Sequence, residues 1–167
     1  MKQSLVGIMV LALAFGGWTG VAAEQIEFDL ECQQKIAVTI VHSTALGLSE
    51  IIRVIPAEKD RIQLIRRFIT PIRFYADHSG YLYVYNLDSV NIAHATQPEL
   101  QGKNLYDYQD TKGKYVIREL AEKAKAGGGF LQYYWQNPLA KKEQKKIGYV
   151  EMIPGTNYFI GSGVYLN

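Results

Sequence analysis

Hydroxyl-bearing aromatics are the most conspicuous chemical resource of this sequence, which contains 12 tyrosines. Tyr81 and Tyr83 stand in the run YLYVY, and Tyr133, Tyr134 and Trp135 form a second cluster. Both runs are β-prone, and in a strand successive side chains go to opposite faces. Tyr133 and Trp135 therefore share one face while Tyr134 takes the other. Such rings offer an apolar wall with hydrogen-bonding edges, although packing is the commoner use of tyrosines at alternate strand positions. Catalytic signatures are weak by comparison. His42, His78 and His94 lie on separate segments, with no metal-binding His pair, nucleophile elbow or haem-attachment CxxCH. An acid–base pair among Asp77, His94 and Asp107 would need a proximity that no spacing indicates. Gly127-Gly128-Gly129 follows a helix and opens none, so it fails the context of a phosphate loop and reads as a helix stop. The sequence reads as that of a non-enzyme without a cofactor.

Composition bounds the protein that carries these residues. A chain of 167 residues, 48% apolar, has the material for one core. Its 18 Lys+Arg against 16 Asp+Glu leave no basic face of the kind that tracks phosphates, so nucleic acid is not an expected partner. The single cysteine, Cys32, excludes an internal disulfide or a cysteine zinc site. It is either buried as a small hydrophobe or paired between chains. Residues 1–23 place Lys2 before an apolar stretch from Leu5 to Phe15 and end in Val21-Ala22-Ala23. That order is a secretory signal cleaved after Ala23. An uncleaved anchor from Leu5 to Ala23 is the alternative, weakened by Gly16, Gly17, Thr19 and Gly20; a span needs roughly 20 apolar residues. No second run of spanning length is expected downstream. The reading is a periplasmic or secreted protein with one domain over 24–167.

Three kinds of element must position the aromatics. A helical segment over 26–75 comes first: apolar residues from Ile26 to Ile55 recur at three- and four-residue steps, as in a long amphipathic helix. Pro56, with Glu58 and Asp60 in the first turn, starts a second helix that Pro71 ends near Arg73. A sheet region over 80–167 follows. Strands are predicted at Tyr81–Tyr85, Val90–Ala95, Phe130–Gln136, Ile147–Ile153 and Tyr158–Leu166. A polar loop from Thr96 to Lys112 and a short helix from Tyr115 to Ala126 separate the second strand from the third. Ala140 to Lys146 reads as a lysine-rich turn. The fold class is α+β, a five-stranded antiparallel sheet covered on one face by the helical first third.

The ordered pieces Arg73, Gly80-Tyr81-Leu82-Tyr83-Val84-Tyr85, Ala93-His94, Pro98-Glu99-Leu100-Gln101-Gly102-Lys103-Asn104-Leu105, Asp110-Thr111-Lys112-Gly113, Gly127-Gly128-Gly129-Phe130, Tyr134-Trp135, Lys146 with Tyr149-Val150, and Ile160-Gly161-Ser162-Gly163-Val164-Tyr165 closely resemble the single Cache family. These are extracytoplasmic sensor domains with a PAS-like fold, found in chemoreceptors and sensor kinases. The resemblance implies a long helix along one face of the sheet and a ligand pocket on the other, typically for small molecules such as organic acids. Receptors of the family continue from the last strand into a membrane helix. Here the sequence ends at Asn167, as expected of a free-standing exported form.

At the matched positions Arg73, His94 and Lys146 offer cationic donors from separate segments. A small carboxylate leaving water recovers its lost hydration best through such charge-assisted bonds. Tyr81, Tyr83, Tyr133, Trp135 and Tyr149 would supply the wall. Each has a plainer reading: Arg73 as a partner of the helix dipole, His94 as a structural histidine, Lys146 as one of a solvated cluster with Lys141, Lys142 and Lys145. The alternative to a sensor of small organic acids is an interaction module with a filled pocket. It would dock on a membrane-bound receptor or pair with its own copy through the long helix.

Overall fold

The computed structural model describes residues 17–166, with side chains from Asp29 onward. The elements run α1 (Gly17–Ile52), α2 (Glu58–Ile69), β1 (Tyr83–Asn86), β2 (Asn91–His94), a 3-10 turn (Pro98–Leu100), α3 (Val116–Lys125), β3 (Gly129–Asn137), β4 (Lys142–Met152) and β5 (Tyr158–Tyr165). The charged start and apolar centre of the expected leader, residues 1–16, lie outside the described residues. The expected cleavage point after Ala23 falls within α1.

The strands form one antiparallel sheet in the order β2-β1-β5-β4-β3, as the predicted fold class requires. The first hairpin and the β3-β4-β5 meander join through β5, which lies between β1 and β4. On one face α1 lays a stripe of Ala37, Val41, Ala45, Leu48 and Ile52, all fully buried. Steps of four, four, three and four keep that stripe on one side of the helix. By length and hydropathy Asp29–Ile52 alone would pass for a membrane span, against the expectation of none downstream. The stripe instead packs on Leu82, Val84, Ile153 and Ile160 of the sheet, together with Ile65 and Ile69 of α2. The opposite face carries Tyr81, Tyr83, Tyr85, Tyr133 and Trp135, roofed by Val116, Ile117 and Leu120 of α3.

Two departures from the sequence reading bear on the site. β4 starts at Lys142, so most of the expected lysine-rich turn is strand and only the segment just before it turns the chain. Lys146 thereby becomes a sheet residue, paired with Tyr133 on β3 and Tyr165 on β5. Within the first hairpin, consecutive Val84 and Tyr85 pair with Ala93 and Asn91, leaving Ile92 as an extra residue on β2. A bulge of this kind restores the facing of residues on either side of it. Ile92 and Ala93 both join the core under α1 and α2, while Asn91 and His94 flank them on the strand that borders Tyr85 and Tyr83.

Candidate functional site

The sheet makes room for large rings by omitting side chains beneath them. A Cβ on Gly161 of β5 would come within 2.6 Å of the Tyr83 ring, and one on Gly148 of β4 within 2.6 Å of the Tyr133 ring. Tyr83 crosses from β1 and Tyr133 from β3 over these glycines, and their hydroxyls meet at 3.2 Å. The rings form the floor of a cavity lined by Tyr81, Tyr83, Tyr85, His94, Tyr133, Trp135 and Lys146, with Val116, Ile117 and Leu120 as roof. Its volume is about 10 Å³, the space of roughly one water molecule.

Lys146 is the cation of this cavity. It is 1% exposed, and among the described residues no carboxylate forms an ion pair with it. Its Nζ donates to the Tyr81 hydroxyl at 2.9 Å and lies 4.0 Å from the Tyr81 ring centroid and 4.8 Å from that of Tyr165. The Tyr165 hydroxyl donates to the Gln136 carbonyl at 2.7 Å. The 2.8 Å bond between the two phenols therefore has Tyr81 as donor. A relay of one sense runs from Lys146 through Tyr81 and Tyr165 to the backbone, and it uses one of the three ammonium protons. Burial pushes the Lys146 pKa well below the usual lysine value. Burial likewise raises Tyr81 and Tyr83, keeping both phenols neutral.

His94 is held as a neutral donor. Its Nδ1 accepts the Gln97 backbone N–H at 3.1 Å, which leaves the proton on Nε2. Burial, then the positive charges of Lys146 and Arg73, keep its pKa well below the ordinary histidine value. The Trp135 indole N–H donates to the Gln97 side-chain oxygen at 2.8 Å, so one short loop fixes both rings.

Tyr81, Tyr83, His94, Tyr133, Trp135 and Lys146 thus converge. Arg73 and Tyr149 do not join the lining. The Arg73 guanidinium donates to the Thr70, Ile72 and Ala95 carbonyls at 2.9, 2.7 and 2.7 Å, tying the end of α2 to the end of β2. It acts on the cavity through its field on His94 and Tyr81. Tyr149 belongs to the opposite face, where its hydroxyl donates to Glu151 at 3.0 Å and its ring meets Phe130. It lies three residues from Lys146, and an odd separation in a regular strand changes face. Tyr85, Tyr165 and the α3 roof were not among the expected residues. Continuing the alternation of Tyr81 and Tyr83 by one step would have included Tyr85.

The segment between β2 and α3 is pinned beside the cavity. Asp110 is buried; burial alone would raise its pKa, but backbone N–H groups of Tyr134, Lys114 and Lys112 hold it below the usual carboxylate value. Arg118 of α3 lies between the Tyr106 and Tyr115 rings, 3.8 and 3.9 Å from their centroids, and bonds to Asp107 and to the Tyr106 carbonyl.

A sheet of this order, with a long helix on one face and a small closed cavity of tyrosine and lysine on the other, defines a sensor domain of PAS-like architecture. The chain belongs to the Cache domain family, whose profile matches residues 23–167. It is 37% identical over 105 residues to the sensor histidine kinase MctS of Rhizobium johnstonii, covering 63% of this chain and 22% of that protein. It is 28% identical over 112 residues to the chemotaxis protein McpP of Pseudomonas putida, covering 66% and 20%. The chain thus spans about a fifth of the length of these relatives. A solved structure concerned with carboxylic acid recognition by a Cache chemosensory domain superimposes with a TM-score of 0.72 at 25% identity, covering 84% of this chain and 98% of that one. Cache domains are extracytoplasmic sensing modules of chemotaxis receptors and histidine kinases, and they bind ligands rather than transform them.

Proposed function

We propose that this domain senses a small organic acid from outside the cytoplasm, as a periplasmic or exported protein whose first 23 residues are a targeting signal. The observation that carries the reading is the buried Lys146 ammonium with no acidic partner among the described residues. An unpaired buried charge is costly, and an incoming carboxylate removes that cost while gaining charge-assisted hydrogen bonds. Lys146 Nζ has two protons to give, and His94, which also lines the space, carries its proton on Nε2 as a neutral donor. Arg73 adds positive potential without contact. The reading is binding without turnover.

The water-sized volume means that the described form is closed, and a ligand must displace part of the lining. This keeps the ligand small. At roughly −1.5 kcal/mol per heavy atom for the best tiny ligands, a six-atom acid reaches at most about −9 kcal/mol, a Kd near the micromolar range. The same small volume is what favours the second reading, a filled module that works by docking on a membrane receptor or on its own copy.

Calorimetry with acetate, propionate, pyruvate and lactate separates the two. Saturable binding by the wild type, lost at least a hundredfold in a folded Lys146→Met variant, is expected. Equal affinity in that variant overturns the carboxylate site, and no binding of any acid leaves the docking module.

A further inference from the structure

A second group of unsatisfied polar atoms lies at Tyr85, which lines the cavity, and at Asn91, its neighbour on the adjacent strand. The Tyr85 hydroxyl and both side-chain atoms of Asn91, Nδ2 and Oδ1, are buried without any hydrogen-bond partner, the only such side-chain atoms among the described residues. Asn91 is 0% exposed and Tyr85 1%. Buried polar groups are normally paired, and each one left unmade is costly.

The placement is specific. Tyr85 lines the cavity, its ring stacked on Phe159 at 5.8 Å, and Asn91 is its register partner on β2. The bulge at Ile92 sets Asn91 beside the tyrosines instead of in the core under α1. The Asn91 backbone is fully used, its N–H donating to Lys103 at 2.9 Å and its carbonyl accepting from Gly102 at 2.8 Å, so only the side chain is idle. Hydrogen bonding from the Asn91 side chain opposes the rise that burial imposes on the Tyr85 phenol, but the two do not reach the geometry of a formed bond, and each is left open to a better partner.

Resting on the carboxylate reading above, we propose that Tyr85 and Asn91 form a second polar pole of the same cavity that receives a hydroxyl group of the ligand, so the domain selects hydroxy acids over plain acids of equal length. The chemistry singles out a hydroxyl. Asn91 leaves both a donor and an acceptor unmet, and a hydroxyl answers both at once. A keto oxygen accepts only. An ammonium donates only, and it would add a second cation to a dry site that already holds Lys146.

The test compares near-isosteric three-carbon probes by calorimetry: propionate, pyruvate, lactate, 3-hydroxypropionate and alanine. In the wild type the better hydroxy acid binds about tenfold tighter than propionate, with pyruvate between and alanine weakest. Tyr85→Phe and Asn91→Leu each reduce the ratio of hydroxy-acid to propionate affinity from about tenfold to about one. Both variants also melt no lower than the wild type without ligand, because each removes only unsatisfied atoms. Hydroxy acids no tighter than propionate, or variants that weaken every acid alike, overturn the second pole and leave the Lys146 site standing. The same result assigns Tyr85 and Asn91 to an ordered water only. Failure of all five acids to bind the wild type overturns both proposals together.

Discussion

The two faces of the sheet solve opposite problems with the same backbone. Toward α1 and α2 the strands present Leu82, Val84, Ile92, Ile153 and Ile160, aliphatic side chains that leave no polar atom to satisfy. Toward α3 they present tyrosines, a histidine, a tryptophan and a lysine, with Tyr85 and Asn91 left partly unmet. The first face is what a domain needs in order to fold. On the reading proposed above, the second gives up stability for groups that have more to gain from a guest than from each other. Division of labour between the faces is therefore a measurable claim: mutations on one should move stability, and on the other, ligand affinity.

The largest expected effect is on the aliphatic side. Leu48→Ala opens a cavity under α1 and should cost about 2–5 kcal/mol in denaturant unfolding, with acid affinity unchanged. The matching change on the tyrosine side, Lys146→Met, should have the reverse pattern. Replacing a buried unpaired cation by an apolar side chain of similar length removes its desolvation cost, so its melting temperature holds or rises while acid binding disappears. If both variants lose stability alike, the contrast fails.

Gly161→Ala sharpens it, because that position touches both tasks. Its new methyl meets the Tyr83 ring and Val150 Cγ1 at 2.6 Å, an overpacking of about 1–3 kcal/mol, and the displaced ring should weaken binding as well.

The smallest effect is in the pH dependence. Below the ordinary histidine pKa of 6.5, the unfolded chain takes up a proton that folded His94 resists, so stability is lost as pH falls through that region. Folded Lys146 also holds less proton than the unfolded chain below 10.5, which gives stability the same rising slope over the window down to its depressed folded value. Unfolding followed against pH should show the acid limb flattened in His94→Phe and the alkaline one flattened in Lys146→Met. A profile unchanged in both would mean that these side chains titrate normally and are wetter than described.

The helical third, the five strands and their antiparallel arrangement were legible because they rest on periodicity and turn residues that act over a few positions. The site was legible in part, and two pairs of residues with the same spacing show where it stopped. Lys146 and Tyr149 are three apart on an unbroken strand, so they face opposite ways. The alternation counted back from buried Val150 would have kept Lys146 and removed Tyr149. Asn91 and His94 are also three apart, yet the extra Ile92 between them reverses the parity. Nothing local announces that bulge. It exists because β2 must match β1 across the hairpin, and that information is not local to either strand. Arg73 lies just past the end of α2, and three carbonyls nearby outcompete the cavity for its guanidinium.

The glycine floor has a mechanical corollary. Because Tyr83 rests on bare main chain at Gly161, a guest that shifts the ring pushes on β5 itself, with no pliable side chain in between to absorb the stroke. The reverse side of β5 bears on α1. A guest of the kind proposed, crowding the tyrosine side, would thereby deliver strain to the long helix across the thickness of a single strand.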